Sequence, residues 1–221
     1  LAGDMEMNTA GSLKGGKNVF ALAKVKESFS ILGDDQVDSY LLFSNPHEYG
    51  KAIDIRFTPI RVVCNNTLTF SLQSSSKNFV KLNHRSKFDA DMVKQQMGLA
   101  SEKFAKYKEM AEFLSTKTFS VDKLINYYNE VFPHTYSKGK EVNAVEDLTK
   151  NAKAAMDVLY TQPGANFGEG TWWQALNSVT YLTDHKMGRN AESRMQSAWF
   201  GQNQARKIKA VNKAVEYANA A

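Results

Sequence analysis

From Asn18 the chain alternates, with Val19, Ala21, Ala23 and Val25 on one side and Phe20, Leu22 and Lys24 on the other. A stretch that is apolar on both faces for most of its length predicts a strand. After the turn cluster Gly33-Asp34-Asp35, the aromatic and aliphatic run VDSYLLFS from Val37 predicts a second. KAIDIRF sets Ala52, Asp54 and Arg56 against Ile53, Ile55 and Phe57, which suits a third strand with one polar face. The first dozen residues read as irregular. Thr58-Pro59 then predicts a helix start, because the hydroxyl can accept an orphan N–H and proline at the first helical position lacks one. At about 100° per residue, Ile60, Cys64, Leu68 and Leu72 share a face, with Val63 and Phe70 opposite. Arg61, Asn65 and Thr69 form a polar stripe between them, with Asn66 alongside. A central helix over 59–72, enclosed on more than one side, is the expectation.

Beyond the serine-rich break at 73–78, NFVKLNH predicts a fourth short strand, and the pattern then turns helical. Phe88, Asp89 and Val93 have the spacing of a hydrophobic staple opening a helix that runs to about Lys117. Helices are expected over 121–132 and 142–160, followed by a loop over 161–170 that carries Pro163 and three glycines. Thr171 with Gln174 three residues on predicts a capping box. In that helix Trp172, Leu176, Val179 and Thr183 form the apolar side, beside a stripe of Trp173, Asn177, Thr180 and Asp184. A last helical segment, 190–221, breaks near Gly201. The fold class is α+β: an antiparallel β-meander of three or four strands packed with a helix, followed by a mostly helical C-terminal half. The division expected is a β-rich part over 1–87 and a helical part over 88–221 that packs back on it as one structural domain.

Buried polar groups must be satisfied or used. Arg61, Asn65, Thr69, Asn177, Thr180 and Asp184 are therefore candidates for a structural polar network, with a ligand-facing site as the alternative. An arginine in the first turn of a helix would face the positive end of the macrodipole at a cost of about 0.3–1 kcal/mol. That argues for an anionic partner, either Asp184 or a phosphate.

Charge changes the picture more than composition does. The formal net charge is +5, but it is unevenly spread. Lys51 to Lys87 nets +6 and His185 to Lys213 nets +6, leaving −7 for the other residues. Aromatic residues neighbour both segments: Phe57 and Phe79 flank the first, and Trp199 and Phe200 lie in the second. Basic residues interleaved with stacking rings suit single-stranded DNA. The candidate contacts are Arg56, Arg61, Asn65, Asn66, His84, Arg85, Lys87, Lys186, Arg189, Arg194, Lys207 and Lys209. A solvated basic surface on a non-enzymatic interaction or virion-associated protein is the competing reading.

Little points to catalysis. The histidines His47, His84, His134 and His185 are dispersed, and no metal-loop spacing or phosphate-binding glycine motif is present. Asp184 and His185 are adjacent, but on a helix they point about 100° apart. No cofactor and no metal are expected. The single cysteine, Cys64, excludes an internal disulfide, and a reducing cytoplasmic setting is expected. No apolar run approaches the roughly 20 residues needed to span a membrane.

RFTPIRVVCNNTL, preceded by AGSLKGGKNVFALAKV and followed by NHRSKF and TWWQALNSVTYLTDHKMGRN, resembles the phage/plasmid-like protein family, a prokaryotic and viral domain without an assigned function. The resemblance runs from about Ala10 to Asn219 and implies a phage or plasmid origin, the host cytoplasm as location, and a further N-terminal portion ahead of Leu1. It supplies no catalytic residue. The meander-then-helix order is also similar to the core of single-strand annealing proteins, an architectural likeness that makes annealing by a homo-oligomer an expectation.

Overall fold

The computed structural model describes residues 5–68, 70–71, 90–135 and 142–220. Its β-strands are β1 (Met5–Leu13), β2 (Asn18–Ile31), β3 (Asp35–Pro46), β4 (Asp54–Arg61), β5 (Asn66–Thr67) and β6 (Phe70–Ser71). They form an antiparallel meander in the order β1-β2-β3-β4-β5, with β6 paired to β4. The helices follow: α1 (Ala90–Thr116), α2 (Val121–Val131), α3 (Lys150–Asp157), α4 (Trp172–Tyr181), α5 (Ala191–Phe200) and α6 (Gln202–Asn219). This is the α+β class that the hydrophobic pattern predicts.

Three elements differ from expectation. Residues 5–13 are not irregular but form β1, paired with β2 from Leu13↔Asn18 to Met5↔Val25 with an irregularity between Met7 and Thr9. Most of its side chains are exposed. An edge strand held by ladder hydrogen bonds rather than burial carries no hydrophobic periodicity to read.

The second correction concerns 59–72, which is not a helix. Thr58, Pro59, Ile60 and Arg61 complete β4, residues 62–65 turn, and Asn66–Thr67 is β5. The segment is rich in β-branched residues (Thr58, Ile60, Val62, Val63, Thr67), which fit a pleated surface better than a helix. Pairing in the sheet overrides the local Thr-Pro start signal and leaves one ladder donor missing at Pro59. Asn65 closes the turn at φ +51°, a left-handed conformation that asparagine tolerates. The fourth strand expected over 78–84 and the staple at Phe88, Asp89 and Val93 lie outside the described residues and side chains.

The chain divides into two compact units. The first comprises 1–29, 37–60 and 69–108. Its core includes Phe29, Phe57 and Phe104: the Phe104 ring lies 5.0 Å from Phe29 and 5.9 Å, edge-on, from Phe57. The helix that packs with the meander is thus α1, not a helix at 59–72.

The second unit comprises 30–36, 61–68 and 109–221, so it takes in the β2–β3 hairpin tip and the β4–β5 turn. At its centre is α4, buried at every position from Trp172 to Thr180. Trp172 stacks on Tyr217 at 5.4 Å and meets Tyr127 edge-on at 5.4 Å. Ser120, Thr149, Thr171 and Asn190 cap α2, α3, α4 and α5 through their side chains. The expected helix over 142–160 is shorter: a 3-10 turn, Val145–Asp147, precedes α3. The last helical segment breaks at Gly201, as its sequence predicts. Among the described residues no helix is long and apolar enough to cross a membrane.

Candidate functional site

Within the second unit two buried ion pairs organise the polar residues that the sequence singles out. The first belongs to Arg61. Its Nε donates to Asp35 Oδ1 at 2.6 Å and its Nη2 donates to the Gly164 carbonyl at 2.7 Å. Trp173 Nε1 donates to the other Asp35 oxygen at 2.7 Å. Arg61 is 3% exposed and Asp35 is fully buried. Arg61 therefore has its anionic partner inside the protein, but that partner is Asp35, not Asp184 and not a phosphate. Two neighbours of this pair are tightly fitted. Gly164 has φ +72°, and a Cβ there would lie 2.8 Å from Arg61 Nη2 and 2.7 Å from Val63 Cγ1. Cys64 Sγ lies 3.8 Å from Arg61 Nη1, and burial pushes its thiol up from the usual range, as suits an inert packing group.

Gln174 ties the segment 161–170 to α4 instead of completing the expected capping box. Its Nε2 donates to the Ala165 carbonyl at 3.0 Å, and its Oε1 accepts from Gly170 N at 3.0 Å. The Thr171 hydroxyl still accepts from Gln174 N.

The second pair joins Asp184 to Lys207. Lys207 Nζ donates to Asp184 Oδ1 at 2.6 Å, to the Thr67 carbonyl at 2.8 Å and to Thr67 Oγ1 at 2.9 Å. Asp184 Oδ2 accepts from Thr67 N at 2.6 Å and from the Thr67 hydroxyl at 2.9 Å. Lys207 is fully buried and the Asp184 side chain is 6% exposed. Burial lowers the lysine's pKa from the ordinary value, and the Asp184 charge and hydrogen bond oppose that shift. Three donations from the ammonium leave no proton of it unused.

Asp184 reaches this position through a change of helix type. After α4 the backbone continues as a π-helical turn, Leu182–Lys186. Such a turn widens the helix by one residue and is a recurrent feature of functional sites. Met187 N closes it onto the Leu182 carbonyl at 2.9 Å. His185 hydrogen-bonds the Cys64 carbonyl, and burial lowers its pKa so that the ring is neutral at neutral pH. Its Nε2 is buried with no hydrogen-bond partner among the described residues. Arg194 donates to the His185 carbonyl at 2.6 Å.

A cavity of about 350 Å³ opens beside this centre, with Asn65, Thr67, Asp184, His185, Arg194 and Trp199 in its wall. It is large enough for a small ligand. The 186–190 segment runs between two residues of that wall, His185 and Ala191, and carries the exposed Lys186 and Arg189.

The nucleic-acid candidates thus separate. Asn65 and Arg194 line this cavity, whereas Lys186 and Arg189 are exposed on the segment that follows His185 and are not in its wall. Arg61, Asn66 and Lys207 are buried in protein contacts, and Asn66 donates to Thr180 Oγ1 at 3.0 Å and to the Asn177 carbonyl at 3.3 Å. Arg56 is held by Asp54 in the first unit. Lys209 is exposed on α6, away from this wall. His84, Arg85 and Lys87 lie outside the described residues.

The expected polar network is rearranged in the same way. Asn66, not Asn65, reaches Asn177 and Thr180, and Arg61 and Asp184 belong to different pairs. Thr69 lies outside the described residues. Asp35, Thr67 and Trp173 were not among the expected site residues. Nothing around Asp35 distinguishes it from a solvated turn acid. Lys207 did carry a signal: Asn203, Lys207, Ala210, Val211, Ala214 and Ala218 recur at helical spacing and are the buried stripe of α6.

Among the described residues no group of three or more His, Cys, Asp or Glu side chains could hold a metal ion. No curated protein and no solved structure matches the chain. A family model does match, over residues 1–212, and the chain belongs to the family described as Domain of unknown function (DUF932).

Proposed function

We propose that this domain binds single-stranded nucleic acid and seats one unpaired nucleotide in the cavity beside Asp184. The observation that carries the reading is the wall of that cavity, which combines Arg194, His185 and Trp199 around a carboxylate already neutralised by Lys207. An acid in an anion site is repulsive unless its charge is cancelled. Both Asp184 oxygens are occupied by Thr67 and Lys207, so Arg194, the cation in the wall, sets the local potential. Arg194, Lys186 and Arg189 supply charge for phosphate, and the Trp199 indole and His185 ring supply apolar and hydrogen-bonding surface for a base. The sequence motifs around Asn65 and Asp184 support a phage or plasmid origin, where single strands are a common intermediate.

The test is fluorescence anisotropy with a labelled single-stranded oligonucleotide at two salt concentrations. The slope of log K against log salt should be roughly −0.7 for each phosphate neutralised. Lys186→Gln with Arg189→Gln, both at exposed positions, should flatten it by about two such steps. Lack of binding by the unaltered chain at low salt overturns the reading.

A further inference from the structure

A second cavity, of about 470 Å³, lies elsewhere in the same unit. Phe132 at the end of α2, Lys150 and Asn151 at the start of α3, and Arg206 and Lys209 on α6 line it. Among the described residues none of its lining side chains is a carboxylate.

Arg206 is the informative residue. It is half-buried, donates to Asn203 Oδ1 at 2.7 Å, and sits 5.9 Å from the Phe132 ring centroid. Burial lowers its pKa from the usual value, and among the described residues no acidic group is paired with it. Three other cations of this unit meet acids: Arg61 pairs with Asp35, Lys207 with Asp184, and Lys213 with Glu130 and Glu216. A partly desolvated guanidinium without a counter-charge is costly to keep, and its planar fork suits an oxyanion.

The rest of the lining points the same way. The Thr149 hydroxyl is committed to Ala152 N and to the Phe132 carbonyl. This fixes the first turn of α3, whose positive dipole end carries Lys150 and Asn151 into the cavity wall. Lys209 flanks Arg206 from one turn along α6. We propose that this cleft binds a phosphate-bearing ligand, with Arg206 as the forked contact and Lys150 and Lys209 as flanking charges. The ligand is either a free polyphosphate or the backbone of a nucleic-acid strand. This site is separate from the cavity beside Asp184 and does not depend on a role for it.

The experiment titrates the full chain with inorganic pyrophosphate by calorimetry and, separately, with a labelled single-stranded oligonucleotide. The variants are Arg206→Gln and the exposed-site changes Lys150→Gln and Lys209→Gln, which remain informative if the first misfolds. A roughly tenfold or greater loss of pyrophosphate affinity in these variants, with the exposed Lys26→Gln on β2 unaffected, supports the site and assigns free phosphate as its ligand. A comparable loss for the oligonucleotide alone supports the site and assigns strand phosphates. No binding of either anion by the unaltered chain, or equal affinities in all variants, overturns the proposal. Oligonucleotide binding that is lost with Arg189→Gln while pyrophosphate still binds separates the two cavities.

Discussion

Arg61–Asp35 and Lys207–Asp184 are both buried ion pairs of the second unit, with the same 2.6 Å charge contact. Their surroundings differ. Around Arg61 the neighbouring donors and acceptors include the Pro163 and Gly164 carbonyls, the Trp173 indole and the Cys64 sulfur, so the pair joins the hairpin tip, the β4 end, the 161–170 segment and α4. Around Lys207 the partners are the two ends of Thr67, and Asp184 also forms part of a cavity wall beside a neutral imidazole and an arginine. Chemically similar pairs can therefore have different uses. One fastens chain segments together, and the other fastens a loop while setting the charge of a concave surface.

Removing either cation should have the largest effect. Arg61→Ala strands Asp35 and Lys207→Met strands Asp184, and each should cost about 3–5 kcal/mol in urea or thermal unfolding. The comparison is sharpened by binding. The folded fraction of Arg61→Ala should keep the unaltered chain's affinity for an oligonucleotide, whereas Lys207→Met exposes the cavity to an uncompensated carboxylate and should weaken it. Equal binding losses in both variants would erase the distinction.

Gly164→Ala should follow in size. The added Cβ meets Arg61 Nη2 and Val63, and φ +72° is strained for alanine. A loss of about 1–3 kcal/mol is expected, with lowered amide protection in the 161–170 segment under hydrogen exchange. A stability equal to that of the parent would show that this segment does not seat against the Arg61 pair.

The smallest effect concerns pH. His185 has a folded pKa below its ordinary 6.5 because of burial. Below pH 6.5 the unfolded chain gains a proton that the folded chain refuses, so stability present above 6.5 is lost as the pH falls toward the folded value. The stability difference between the parent and His185→Gln should therefore narrow over that interval. A difference constant with pH would place no titrating role on His185.

The meander, the helical second half, the loop at 161–170 and the break at Gly201 were legible because each rests on nearby residues: alternation, caps, glycines and proline. The site was legible only in part. Asp184 stood out on the polar stripe of its helix and Arg194 in a basic segment with aromatic neighbours, whereas His185 was one of four dispersed histidines and carried no site signal. Lys207 was counted with the basic surface although its place on the buried stripe of α6 marked it otherwise.

Over 59–72 a threonine, a proline and an i, i+4 polar stripe met the local conditions for a helix. Pairing with the neighbouring strands decided instead for β4 and a turn, because ladder hydrogen bonds and β-branched packing outweigh a weak start signal. The sequence by itself determined the α+β class, and that Arg61 and Asp184, if buried, must each find a partner. Which acid meets Arg61, and which cation meets Asp184, was decided by the tertiary structure alone. Those partners are 26 and 23 residues apart in the chain, and no local rule reaches across that separation.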